Sequence, residues 1–300
     1  MLKRTCLVIA GFLLLGNAIA GDVYRWVDKN GQVHFEDRAP QQVASKVTRH
    51  SVDEREPDEI VVLEIVDRSN GWDVYVRNLV YGPVEVELSF HKNKAVQAKP
   101  GLPLQRVLNA RERALLTRID AIGPNAEMGI KMEGAPGGRS GLPKDFLYQL
   151  PIDKKTAVRI AQAFNGRYTH NDEQNRFAVD FAMPVGTPIL AARSGIVMQT
   201  TGTFDRAGTQ KEKYATRANN IRILHEDGSM AVYAHLKQKG IMVREGQRVS
   251  VGQLIGYSGN TGFSSGPHLH FCLQYNKGMK LVSIPFRMNG PYGELKLLRK

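Results

Sequence analysis

At 300 residues with 42% apolar content, the chain is long enough for two or three folded units. Its net charge of +12 attracts polyanions, but it has no five-residue basic run, zinc-finger spacing or clustered aromatic platform, which argues against nucleic acid. Two cysteines, Cys6 and Cys272, are too few for a disulfide framework or a cysteine-rich metal site.

Basic Lys3-Arg4, the apolar run Cys6 to Gly16 and the small exit Ala18-Ile19-Ala20 read as a secretory leader over 1–20, cleaved before Gly21. No lipoprotein box is present, because Lys3 stands three residues before Cys6. Removing the leader leaves a net charge of +10 and the single thiol Cys272, which reads as a buried small hydrophobe. No later stretch has the length and apolarity of a bilayer span, so the expected product has no integral membrane segment and works in the periplasm or outside the cell. There, cell-wall polymers are the favoured polyanion.

Residues 21–40 alternate in strand fashion around Asn30-Gly31, a hairpin turn signal, and predict a small β-hairpin module. Gly21 to Asp28, with Gly31, His34-Phe35 and Asp37 to Pro40, resembles a short domain of undefined function found at the start of many proteobacterial envelope proteins. Residues 41–59 are charged and poor in apolar side chains, so a linker is expected. Residues 60–149 carry short β-rich runs at Ile60 to Val66, Trp72 to Val80, Val84 to Phe90, Arg113 to Ile119 and Glu127 to Met132, predicting a β-sandwich-like domain.

From 150 to 290 the chain again reads as short strands separated by turn chemistry, with 291–300 as a basic tail. Residues 156–164 fit helix and strand equally. The expected fold class is therefore mainly β throughout. Within strand His268 to Leu273, His268 and His270 are two residues apart and must share a face, which is how a strand offers two imidazoles to one site. Tyr233 and His235 share a face by the same rule. Asp180 is a carboxylate in the apolar run Ala178 to Ala182, costly unless it is paired, hydrogen-bonded or bound to metal. His225 abuts the turn Glu226-Asp227-Gly228 and reads as a solvated strand end.

The block from Gly166 to Phe271 resembles the LytM/lysostaphin type of zinc metallopeptidase. The resemblance rests on Asp180 to Pro188, Ala191 to Val197, Tyr233-Ala234-His235-Leu236, Gly246 to Val249, Gly252 to Gly256, Gly259-Asn260-Thr261-Gly262 and Pro267-His268-Leu269-His270-Phe271. It implies an antiparallel β-sheet groove holding one Zn2+ per chain through a histidine, Asp180 and His270, with His235 and His268 beside the metal. The commonest pattern puts the first histidine four residues before the aspartate, where this chain has Arg176, whose guanidinium stays charged. The resemblance therefore points to His170, with Asn171 to Arg176 as a polar insertion whose ends can stay close.

The implied activity is a zinc endopeptidase acting on peptide bonds in peptidoglycan. The alternative is an inactive binding module of the same fold that activates a separate wall amidase. The complete candidate set His170, Asp180, His270, His235 and His268 favours catalysis.

Overall fold

A computed structural model describes the backbone of 5–10, 22–27, 33–36 and 48–51, and residues 59–298 apart from 140, 154–156 and 158. The chain is nearly all β, and its one described α-helix is the single turn Lys211–Tyr214.

Residues 14–58 form one unit. In it, Asp22–Val27 pairs antiparallel with Val33–Glu36, with Trp26 opposite His34. Its other edge pairs with Thr48–Ser51. The stretch expected as a linker thus supplies a third strand, whose backbone satisfies the open side of the hairpin. The Asn30-Gly31 turn lies beyond the described residues, as does the segment expected as a leader apart from Thr5–Ala10, which pairs parallel with residues 127–132, unlike a leader removed before Gly21.

The remaining chain is a second unit. Its N-terminal part is built from two four-stranded sheets, one of Val61–Arg68, Gly71–Asn78, Arg113–Ala121 and Val96–Lys99, the other of Thr5–Ala10, Glu127–Pro136, Val84–Lys94 and Leu104–Leu108. Alternation turns Trp72, Val74 and Val76 from one sheet toward Val86, Leu88 and Ile130 from the other, and all six are buried in one cluster.

The C-terminal part is dominated by an antiparallel sheet in the order Ile160–Gln162, Ala178–Ala182, His268–Asn276, Met230–Ala234, Asn220–Leu224, Gly195–Thr201 and Arg248–Val249. Leu281–Ser283 also pairs with the long strand His268–Asn276. One face packs on the main core through Val179, Phe181, Ile221, Ile223, Ala231, Tyr233, Leu269, Phe271 and Leu273. The opposite face therefore carries Asp180, His268, His270, Val232 and Arg222, because side chains alternate along each strand.

Phe271, directly after His270, is fully buried, with Tyr233 and Phe286 edge-on at 5.1 and 5.2 Å between ring centroids. Replacing it with Ala is expected to lower unfolding free energy by about 3–5 kcal/mol, the usual cost of emptying a phenylalanine site, measured by chemical denaturation.

Two boundaries differ from the sequence expectation. Leu147–Tyr148 pairs with Arg287–Gly290 and so belongs to the C-terminal part rather than to the sandwich. Residues 291–298 are not a solvated tail: Gly293–Glu294 pairs with Asn289 and Gly290, and Leu297 is buried in the core. Leu295 and Leu297 supply the apolar face that the surrounding charges conceal in the sequence.

The sandwich docks on the same sheet face that carries Asp180 and His270. Met198 and Met230 are buried in the sandwich core, and the backbone N of Tyr81 donates to Met198 O at 3.0 Å. Buried Asn276 donates through Nδ2 to Glu85 Oε2 and to Gly137 O, both at 2.9 Å.

Candidate metal centre

Antiparallel register places Asp180 opposite His270 and Ala182 opposite His268, so neighbouring strands present one carboxylate and two imidazoles on one face. His170 arrives from a loop before the first of these strands, and its side chain is fully buried. Asn171–Arg176 loops out while its base stays closed, since the backbone N of Asn165 donates to Arg176 O at 2.6 Å. Asp172 Oδ1 accepts from the backbone N of Gln174 and Asn175, at 2.9 Å each, which organises the loop from within.

His170 Nε2 and His270 Nδ1 lie 3.2 and 2.9 Å from Asp180 Oδ1. One donor atom from each of these three residues falls within 4.8 Å of the others. The second-sphere contacts suit a cation: His170 Nδ1 is 2.9 Å from Ala163 O, which leaves Nε2 for the centre. Two nitrogens and one carboxylate oxygen match the three protein donors of a hydrolytic zinc site. Burial pushes the Asp180 carboxyl up, but hydrogen bonds from His170 and His270 outweigh it and hold the group well below the usual carboxylate range.

His235 and His268 flank this trio, with ring centroids 4.5 Å apart. His235 Nδ1 lies 2.6 Å from Thr261 O, and His268 Nδ1 lies 2.8 Å from Gly266 O. In the neutral ring each Nδ1–H donates to its carbonyl, so each Nε2 is left with a free lone pair. Burial, with His268 and His270 nearby, lowers the His235 pKa to about 3 and keeps the ring neutral. Alternation predicts that His235 shares a face with Tyr233, and it does not. Tyr233 is in the core, whereas His235 adopts φ 62°, which ends the strand and swings its ring toward the opposite face.

Gln162 is a site residue that sequence reasoning missed. It stands opposite Asp180 in register, and its Nε2 donates to Asp180 Oδ2 at 3.0 Å and to Thr169 Oγ1 at 2.6 Å. Its Oε1 accepts from the backbone N of Tyr168 at 3.1 Å. Gln162 thus occupies one carboxylate oxygen of Asp180 and fastens the loop bearing His170 to that carboxylate. A Cβ at position 166 would collide with the Gln162 side chain, so Gly166 is what lets the glutamine pass.

His225 is 2% exposed, not solvated: Nδ1 lies 2.9 Å from Ser194 O, and the ring packs on Tyr148 at 5.6 Å. Burial lowers its pKa to about 4. As pH falls below the ordinary value near 6.5, the unfolded chain takes up this proton first. Stability is therefore full above about pH 6.5 and is expected to drop by about 1.4 kcal/mol per unit down to about pH 4. Denaturation curves of His225→Gln should lack this component.

Asn219 is fully buried and anchors the loop 204–218, with Oδ1 accepting from Phe204 N at 2.9 Å and Nδ2 donating to Phe204 O at 2.7 Å. Cys272 is fully buried and its thiol pKa is raised by desolvation, as expected of a core residue.

A strand-borne His-x-His paired with an aspartate on one face of an antiparallel sheet is the arrangement that the LytM/lysostaphin resemblance implies. Residues 174–281 match Peptidase family M23, so the C-terminal part carries a segment of that type. His170 and Gln162 precede the matched stretch, so their place in the centre rests on geometry. Residues 10–57 match a domain of unknown function, DUF4124.

The chain is 39% identical over 124 residues to Peptidoglycan DD-endopeptidase ShyA of Vibrio cholerae, a match covering 40% of this chain and 25% of that protein. It is 34% identical over 122 residues to lysostaphin of Staphylococcus simulans, covering 39% of this chain and 22% of the other. It thus spans no more than about a quarter of the length of either relative. The solved catalytic domain of the same lysostaphin is 29% identical, with 43% of this chain and 88% of that one covered at a TM-score of 0.31.

Proposed function

We propose that the protein is a zinc-dependent endopeptidase of the periplasm or cell exterior that hydrolyses peptide bonds in peptidoglycan. The observation that carries this reading is the convergence of His170, Asp180 and His270 beside the two carbonyl-anchored imidazoles His235 and His268. Bound zinc supplies Lewis acidity toward the scissile carbonyl and the attacking water. His170 Nε2, Asp180 Oδ1 and His270 Nδ1 would hold the ion, and Gln162 Nε2 fixes the carboxylate by donating to Asp180 Oδ2. The Nε2 lone pair of one of the two rings, His235 or His268, accepts the water proton as its oxygen bonds to the carbonyl carbon, and the other ring stays neutral. In the imidazolium form that follows, the same nitrogen donates to the developing oxyanion or to the leaving amine as the C–N bond breaks. The names of the endopeptidase relatives support wall peptide as substrate. The leader-like start, and the lack of any described helix long and apolar enough to cross a membrane, support the location.

Purified protein should release muropeptides from sacculi. A chelator should stop the reaction, and zinc should restore it. Absence of release from the zinc-loaded protein would instead favour the amidase-activating module. Gln162→Ala is expected to retain the fold and bind zinc about 10–100-fold more weakly, read by competition with a chromophoric chelator.

A further inference from the structure

We propose that Arg222 forms a carboxylate-binding subsite on the sheet face that carries the metal centre, reading a free carboxylate of the substrate peptide on one side of the scissile bond. The proposal rests on the endopeptidase reading above and adds to it a determinant of substrate choice.

Ile221 and Ile223 are fully buried in the core, so Arg222 between them points to the face that carries the metal centre. Register fixes its position there. Arg222 pairs with Val232, Val232 pairs with Cys272, and Cys272 is the next residue after His270 on this face. One two-residue step along a strand and two strand spacings across put the Arg222 backbone about 12 Å from that of His270, a reach of three to four residues of extended peptide.

The environment of the guanidinium is that of a cation awaiting a counterion. Nη1 donates to Gln274 Oε1 at 2.9 Å. Nε is closed off from solvent and has no hydrogen-bond partner. Among the described residues, no carboxylate forms an ion pair with Arg222. Gln274 is itself held, since its Nε2 donates to Gln174 O at 2.9 Å, so the loop that carries His170 into the centre also fixes the neighbour of the arginine. Desolvation lowers the Arg222 pKa to about 10, and the residue keeps only partial exposure. A charge withdrawn from water without a paired anion is costly. With Nη1 held by Gln274 and Nε closed off, Nη2 is the donor left to meet a carboxylate, through a charge-assisted hydrogen bond that no neutral group of a peptide matches. Wall peptides with free carboxylates near the cleaved bond have the required chemistry.

The test uses zinc-loaded protein and two synthetic wall peptides that differ only in one carboxylate, free in the first and amidated in the second. Wild type is expected to favour the free acid by about tenfold or more in kcat/KM, the scale of one charge-assisted hydrogen bond. Arg222→Met should bring that ratio to about one, with zinc content and melting temperature also recorded. Gln274→Glu, which sets a carboxylate on Nη1, should collapse the ratio in the same way and serves if Arg222→Met does not fold. A wild type without preference overturns the proposal. So does an Arg222→Met protein in which both peptides slow equally and the ratio persists, since that is what a purely structural arginine would give. If wild type cleaves neither peptide, the endopeptidase reading falls, and calorimetric affinities of the same pair then decide the subsite: equal affinities refute it.

Discussion

His170→Ala is expected to lose its bound zinc and, with it, on the order of 10^3-fold or more in kcat/KM, while the β-sheet signature in circular dichroism is retained. The ring has two jobs. Nε2 lies 3.2 Å from Asp180 Oδ1, where an ion would be held, and Nδ1 is tied to Ala163 O. Without it two donors remain, too few to keep a hydrolytic zinc ion that still has an open position. Lewis-acid stabilisation is worth several kcal/mol, and each 1.36 kcal/mol is a factor of ten in rate. Metal analysis after dialysis separates this from a folding defect. A variant that keeps one zinc per chain and full wall hydrolysis would remove His170 from the centre and leave the role of its loop unexplained.

His235→Ala should behave in the opposite way toward metal. Zinc content stays near one per chain, and kcat falls by about 10^2–10^4, the range of a positioned acid–base group. The imidazole faces the centre only because its backbone adopts φ 62° and its Nδ1 is fastened to Thr261 O. Its loss removes a proton acceptor without touching a ligand. His268→Ala should show the same pattern, with Gly266 O losing its donor. If either variant instead lost its metal, that residue would be a ligand, and the division of labour between the trio and its neighbours would be wrong.

The parts of the centre that follow strand alternation are legible in the sequence. His268, His270 and Asp180 project as a period of two requires, and the burial of Cys272 and Phe271 follows from the same run. His170 is legible only through the family pattern and the polarity of Asn171–Arg176, because nothing local says that a loop will close back on itself. Gln162 is hidden for a different reason. Residues 156–164 have no decisive periodicity, and a glutamine acquires its meaning only when pairing puts it opposite Asp180. His235 is misread because one left-handed residue breaks alternation, and histidine tolerates that conformation without announcing it. His225 and the segment 291–298 are misread because polar letters at a turn and at a terminus suggest solvent, whereas Tyr148 and the core cover them.

The docking of the sandwich over Met198 and Met230 covers one end of the sheet face that carries Asp180 and His270. Next to it, Gln174 O meets Cys272 Sγ and Gln274 Nε2, so the loop that follows His170 is seated on the strand that bears His270. A change in the packing of that strand would therefore reach two arms of the centre together.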